Sequence, residues 1–169
     1  MNADSPGSAG LDRRLLAIYL NDHIAGATAG VGRISQMAEA SASTPIGPRL
    51  ADLATEIRTE RDWLVDTTRR LGVRVDQGKL AVLWTGERLG RLKPNGRLTR
   101  RSPLSVLLEL DLMQSAVAGK KSLWHALQDW SAPLGLDPVV LEELVISADR
   151  QLEELASLAA VARRAALRA

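Results

Sequence analysis

Apolar residues recur along most of this chain at the three- and four-residue spacing that places them on one face of an α-helix. The first such stretch, predicted to be helical over 11–42, has two inward lines of positions seven residues apart. These lines are Leu20, Ala27 and Ile34, and Leu16, His23, Gly30 and Met37. A histidine and a glycine thus stand where core side chains are normally found, and we expect the fold to be organised around this stretch.

Three more helices follow, and each has its own inward line. Helix two, which runs to about Leu71, has Leu50, Leu53, Ile57, Glu60, Leu64, Thr67 and Leu71. Helix three, over 103–130, has Val106, Leu110, Met113, Val117, Lys120, Trp124 and Leu127. Helix four, which begins at Asp137-Pro138, has Leu141, Leu144, Ala148, Gln151, Leu155, Leu158 and Ala162. Both of these later helices start with a capping residue followed by proline, a common N-terminal signal.

The connections between these helices differ in length. Short links join helices one and two and helices three and four, whereas residues 72–101 separate helices two and three. Helices of ~27 residues span ~40 Å, and a connection of this length can cross that distance, so helix three can run parallel to helix two. In helix lengths and in this single long crossover, residues 11–168 resemble the ferritin-like superfamily. We therefore predict an all-α, ferritin-like four-helix bundle as one domain over 11–169, after a disordered leader at 1–10.

The resemblance implies a di-iron centre made of glutamates and Glu-x-x-His motifs, and the sequence does not match that pattern. Neither histidine of the chain has a glutamate three positions earlier, and the residues three positions after Glu56 and Glu60 are threonine and tryptophan. We predict no complete di-iron site and no cofactor. If iron or another divalent metal binds, His23 and Glu60 are its candidate ligands.

Instead of metal ligands, the inward lines bring polar residues to one level of the bundle. His23, Glu60 and Lys120 are all displaced toward the same end of their helices, and Tyr19 lies one turn from His23. We predict a core polar cluster of His23, Glu60, Lys120 and Tyr19. Two interpretations stay open: a structural ion pair that fixes helix register, or a small binding or catalytic pocket.

Helix one also carries Gly26, Gly30 and Gly32 within seven residues. Each glycine weakens a helix by ~1 kcal/mol relative to alanine, so several together need a structural reason. We expect the close approach of a neighbouring helix, or of Trp63 or Trp124. The alternative is room for a ligand.

Composition narrows the class of protein. Hydrophobic residues make up 46% of the chain and aromatic residues only 3%, which favours an aliphatic core of close-packed helices. The absence of cysteine excludes disulfides, thiolate metal sites and cysteine nucleophiles, and it fits a cytoplasmic protein. No apolar run approaches the roughly 18 residues of a membrane span, so we expect no membrane partner.

The positive charge is concentrated in the crossover. Residues 72–101 hold eight arginines and lysines against two acidic residues, whereas the whole chain has a net charge of only +2. The candidates for binding a phosphate-bearing ligand, nucleic acid or an acidic partner are Arg88, Arg91, Lys93, Arg97, Arg100 and Arg101. The alternative is a solvated segment that pairs with the acidic outer faces of helices two and four.

These features favour a non-catalytic binding or interaction protein over an enzyme, and we assign no catalytic residue. One alternative is a metal-dependent oxidoreductase with a reduced site at His23 and Glu60, and another is an anion or nucleic-acid binder that uses the basic crossover. Helix three has further leucines outside its inward line, at Leu104, Leu107, Leu108 and Leu112. We expect these leucines to bury a second face of the helix in a homodimer.

Overall fold

The computed structural model describes residues 10–76 and 103–167, and all regular secondary structure in these ranges is α-helical. The helices are α1 (Arg13–Ala40), α2 (Gly47–Arg70), α3 (Pro103–Asp129), α4 (Ser131–Leu134) and α5 (Pro138–Ala166). The predicted all-α class is confirmed, and the four long helices begin and end within a few residues of their predicted bounds. The leader before Gly10 and the crossover beyond Asp76 lie outside the described residues.

Contacts between side chains establish the relative direction of α2 and α3. Glu60 on α2 is in contact with Lys120 on α3. About one turn further along both helices, Trp63 packs edge to face against Trp124, with ring centroids 5.6 Å apart. Because the two helices advance together, they run parallel, as the length of the connection between them allows.

The core is formed by the inward lines of α2, α3 and α5, largely as predicted. The buried apolar side chains of α2 and α3 include Leu50, Leu53, Ile57, Leu64, Leu110, Met113, Val117, Trp124 and Leu127. Those of α5 include Leu141, Ala148, Leu155, Leu158 and Ala162. Apolar side chains from three helices thus make one continuous core, which α1 completes.

The inward face of α1 agrees with the predicted one toward both ends of the helix and differs from it in the middle. Ile24 and Val31 are buried, whereas Ala27 and Gly30 are half-buried at the edge of the core. A straight helix drifts by about 20° per seven residues, so a strict heptad line turns gradually away from the core. Turning Ile24 and Val31 inward buries more apolar area than alanine and glycine can offer.

The additional leucines of α3 do not share one environment. Leu107 is buried, as expected, but Leu104, Leu108 and Leu112 are 43%, 53% and 54% exposed. Within a single chain α3 is therefore not buried on a second face, and burial of these leucines in a homodimer stays a prediction. The three exposed leucines are spaced four residues apart and form an apolar stripe along the helix.

Helix starts follow the capping signals in two cases. The Asp12 carboxylate accepts hydrogen bonds from the backbone N–H groups of Arg14 at 2.8 Å and Leu15 at 3.0 Å, so α1 begins at Arg13. Asp137 caps α5 in the same way through the N–H of Val139 at 2.9 Å. At α2 the cap residue is Ile46, which makes no side-chain cap hydrogen bond.

Gly47 has a steric role at the start of α2. A Cβ atom at this position would lie 2.3 Å from the carbonyl oxygen of Ser41 and 2.9 Å from its carbonyl carbon. These are backbone atoms of the turn between α1 and α2, so a methyl group would displace the turn. We expect Gly47→Ala to lower the free energy of unfolding by about 1–3 kcal/mol, measured by urea denaturation.

The matched control for this prediction is Gly32→Ala. A Cβ atom on Gly32, in the middle of α1, would meet no other atom within 4 Å. Alanine should therefore stabilise α1 by up to about 1 kcal/mol through its better helix propensity. Equal effects at Gly47 and Gly32 would show that the Ser41 turn accommodates a side chain.

Candidate ligand-binding site

A buried ion pair connects α2 to α3, and hydrogen bonds from this pair extend to α5. Lys120 Nζ donates hydrogen bonds to Glu60 and, at 2.5 Å, to Gln151 Oε1. Glu60 Oε1 accepts from Ser147 Oγ at 2.7 Å and from Gln151 Nε2 at 2.9 Å. The side chains of Lys120 and Glu60 are only 10% and 7% exposed. We call these four residues, Glu60, Lys120, Ser147 and Gln151, the Glu60 network.

The network extends from the core to the surface through Glu56. Gln151 Nε2 lies 3.3 Å from Glu56 Oε2, and Arg150 Nη2 donates to the same oxygen at 2.6 Å. The side chains of Arg150 and Glu56 are more exposed than those of the network, at 56% and 34%. Each carboxylate therefore has its own cation, which reduces the cost of burying charge.

Burial has a direct effect on the lysine of the network. Desolvation lowers the pKa of Lys120, and the adjacent Glu60 carboxylate opposes this shift. The neighbouring Lys121 is in a different environment: its Nζ pairs with Asp149 at 2.6 Å, and its side chain is 28% exposed. Two consecutive lysines thus offer one buried amine and one partly solvated amine.

The predicted polar cluster is corrected in its membership. Among the described residues, the hydrogen bonds of the Glu60 network include neither His23 nor Tyr19. The His23 ring packs edge to face on Tyr19, with centroids 4.5 Å apart. His23 lies outside the network because Ile24 takes the inward position on α1. Burial lowers the pKa of His23, with Asp22 opposing, so the neutral imidazole is favoured at neutral pH.

Two residues on α5, Ser147 and Gln151, complete the network with Glu60 and Lys120, where His23 and Tyr19 were expected. Gln151 lies on the predicted inward line of its helix, and its burial agrees with that position. Ser147 lies outside that line, and sequence reasoning missed it. A usable signal was its spacing, because Ser147 stands four residues before Gln151 and therefore on the same helical face.

A cavity of about 150 Å³ lies beside the network, between α1, α2 and α3. The larger apolar side chains that line it are Ile57, Leu64, Met113, Val117, Leu123 and Trp124. The charged or titratable residues that line it are Asp22, His23, Arg61 and Lys120. His23 and Lys120 therefore border the same cavity although they do not share the network. Such a space, mostly apolar with a few polar groups at its border, is typical of a small-molecule site.

Glycines make room for this cavity. Gly26 and Gly30 on α1 and Gly119 on α3 all line it, and a Cβ atom on any of them would meet nothing within 4 Å. The expected close approach of a neighbouring helix, or of Trp63 or Trp124, is therefore wrong for Gly26, Gly30 and Gly32, whose Cβ positions have no such neighbour within 4 Å.

The residues at this level do not fit a di-iron centre. The carboxylate of Glu60, which would be a ligand, accepts hydrogen bonds from Lys120, Ser147 and Gln151. The position three residues after Glu60 is Trp63, whose ring packs on Trp124. Across residues 10–76 and 103–167, no three or more histidine, aspartate or glutamate side chains are grouped so that they could hold a metal ion.

The predicted anion-binding residues, Arg88, Arg91, Lys93, Arg97, Arg100 and Arg101, lie outside the described residues. The described start of the crossover is held against α1. Asn21 Nδ2 donates to the carbonyl oxygen of Arg74 at 3.0 Å, and Asn21 Oδ1 accepts from the N–H of Asp76 at 2.7 Å. One asparagine side chain therefore anchors the chain as it leaves α2.

The chain matches no protein-family model, no curated protein and no solved structure. In the part of the chain that the structure describes, no helix combines the length and apolarity that crossing a bilayer requires.

Proposed function

We propose that this protein is a non-catalytic binding protein whose ligand is a small apolar molecule held in the cavity beside the Glu60 network. The observation that carries this proposal is a space of about 150 Å³ that glycines on two helices leave open. A cavity of about this volume with apolar walls is large enough to bind molecules such as benzene or xenon. The expected ligand is therefore the size of a single six-membered ring.

Beyond the all-α class, we also propose that the fold is a ferritin-like four-helix bundle. In this bundle an ion pair lies at the level where the superfamily has its metal site. Its support is the parallel course of α2 and α3 across one long connection. The contact between Lys120 and Glu60 argues against the alternative of a reduced metal-dependent oxidoreductase, because an ammonium group occupies the carboxylate that a metal would need.

Benzene binding tests the proposed function. We expect benzene-saturated buffer to raise the melting temperature of the protein, because a ligand that binds only the folded state stabilises it by mass action. In Gly30→Leu, an isobutyl group should occupy the cavity and abolish this response. Gly32→Leu is the matched control, because Gly32 also has open space around its Cβ position but does not line the cavity.

The two variants separate binding in the cavity from general solvent effects. If benzene raises the melting temperature of the wild-type protein and of Gly32→Leu only, the ligand occupies the proposed cavity. An unchanged melting temperature in the wild-type protein, or an equal response in Gly30→Leu, would contradict the proposal.

We also propose that the protein self-associates through a specific surface of α3. The exposed stripe of Leu104, Leu108 and Leu112 supports a homodimer, because monomeric proteins seldom expose contiguous apolar patches of this kind. A two-fold axis would bury the same stripe on both copies. Binding of anions or nucleic acid by the basic crossover stays a prediction from the sequence.

A further inference from the structure

We propose that the cavity takes an aldehyde and that Lys120 binds it covalently as a protonated imine held against Glu60. This inference rests on the proposed function, because it names the chemical class of the ligand for the same cavity. Of the described residues that line the cavity, Lys120 alone has a primary amine in its side chain. The same amine contacts a carboxylate that is itself buried. An apolar space, an amine and a carboxylate are the components of an imine-forming site.

The reaction balances without any oxidant or reductant. The Glu60 carboxylate takes a proton from the Lys120 ammonium group, and the freed nitrogen lone pair forms an N–C bond with the carbonyl carbon. Glu60 then returns its proton to the hydroxyl group of the resulting carbinolamine, the C–O bond breaks, and the oxygen leaves as water. From ammonium and aldehyde, two hydrogens of the nitrogen depart with that oxygen and one remains on the iminium nitrogen. The net charge is the same before and after.

The surroundings of Lys120 favour this product. The iminium carries the same single positive charge as the ammonium group, so Glu60 keeps a cationic partner. Its remaining N–H can donate to Glu60, while the hydrogen bond from Lys120 to Gln151 is given up. Burial lowers the pKa of Lys120, which increases the fraction of free amine at neutral pH.

Lys121 provides an internal comparison within the same helix. Its amine pairs with Asp149, its side chain is more exposed than that of Lys120, and it does not line the cavity. If solvent exposure alone determined which amine reacts, an aldehyde would therefore modify Lys121 first. An aldehyde that is first held in the cavity would modify Lys120.

Reductive trapping with benzaldehyde tests the inference. The full-length protein is incubated with limiting benzaldehyde and sodium cyanoborohydride, which converts an imine into a stable benzylamine, and the modified lysines are identified by peptide mass spectrometry. We expect Lys120 to be labelled several-fold more than Lys121, because the cavity holds the aldehyde beside Lys120 only. Benzene should compete with labelling at Lys120 but not at Lys121. Lys120→Arg, which keeps the positive charge, should lose the label at this position only.

The variant that fills the cavity makes the test specific. In Gly30→Leu, labelling of Lys120 should disappear while labelling of Lys121 persists, and Gly32→Leu should behave like the wild-type protein. Lys120 labelling that does not exceed Lys121 labelling, or that survives in Gly30→Leu, would overturn the imine. If benzene raises the melting temperature but Lys120 stays unlabelled, the imine is overturned and the binding of apolar ligands stands. If both fail, the proposed function fails with it.

Discussion

Replacing Lys120 with methionine should lower the free energy of unfolding by about 3–5 kcal/mol. Methionine has a similar length and is apolar, so the main change is the loss of the cation beside Glu60. The carboxylate would remain 7% exposed, with only neutral donors from Ser147 and Gln151. A buried charge without a counter-ion is far more costly than a lost surface contact. The measurement is urea denaturation followed by far-ultraviolet circular dichroism.

Two further variants separate this effect from a general loss of lysine. Lys121→Met removes a partly exposed ion pair with Asp149, and such pairs contribute about 0–1 kcal/mol. The double variant Glu60→Gln/Lys120→Met removes both buried charges and keeps an acceptor for Ser147 and Gln151. It should therefore recover most of the stability lost in the single variant. A smaller loss for Lys120→Met than for Lys121→Met would place Lys120 in solvent.

Trp124→Ala should cost about 3–5 kcal/mol of unfolding free energy, the range for truncating a buried aromatic side chain. Trp124 is 1% exposed, packs on Trp63 and borders the cavity. Its Nε1 has no hydrogen-bond partner within the described residues, so the variant leaves no polar group stranded. The expected loss therefore comes from packing alone. The control is Trp130→Ala, since Trp130 is 37% exposed and should lose much less.

Rescue by a ligand distinguishes a cavity from a collapsed core in Trp124→Ala. If the space left by the indole ring stays open and joins the existing cavity, added indole should stabilise this variant more than the wild-type protein. The increase in melting temperature with indole concentration measures the difference. The absence of any rescue, together with a loss below that of Trp130→Ala, would show that Trp124 does not support the core.

The site shows where sequence reasoning succeeded and where it stopped. Glu60, Lys120 and Gln151 are recognisable as inward residues because each lies on a repeating apolar line of its own helix. Their levels along the bundle follow from helix length and from the parallel course of α2 and α3. His23 also lies on such a line, yet it does not join the network. Helix one has small residues on several faces, and its apolar pattern therefore left its rotation poorly specified.

The amino-acid sequence by itself determined four long amphipathic helices, the order of their connections, and a carboxylate, an amine and an amide facing inward on three of them. These are properties of each helix and its neighbours along the chain, because the helical period relates spacing directly to facing. The tertiary structure alone decided that Ser147 completes the Glu60 network, that α1 turns Ile24 inward in place of His23, and that its glycines face open space. These outcomes depend on the rotation and separation of helices, which the packing of all of them together determines.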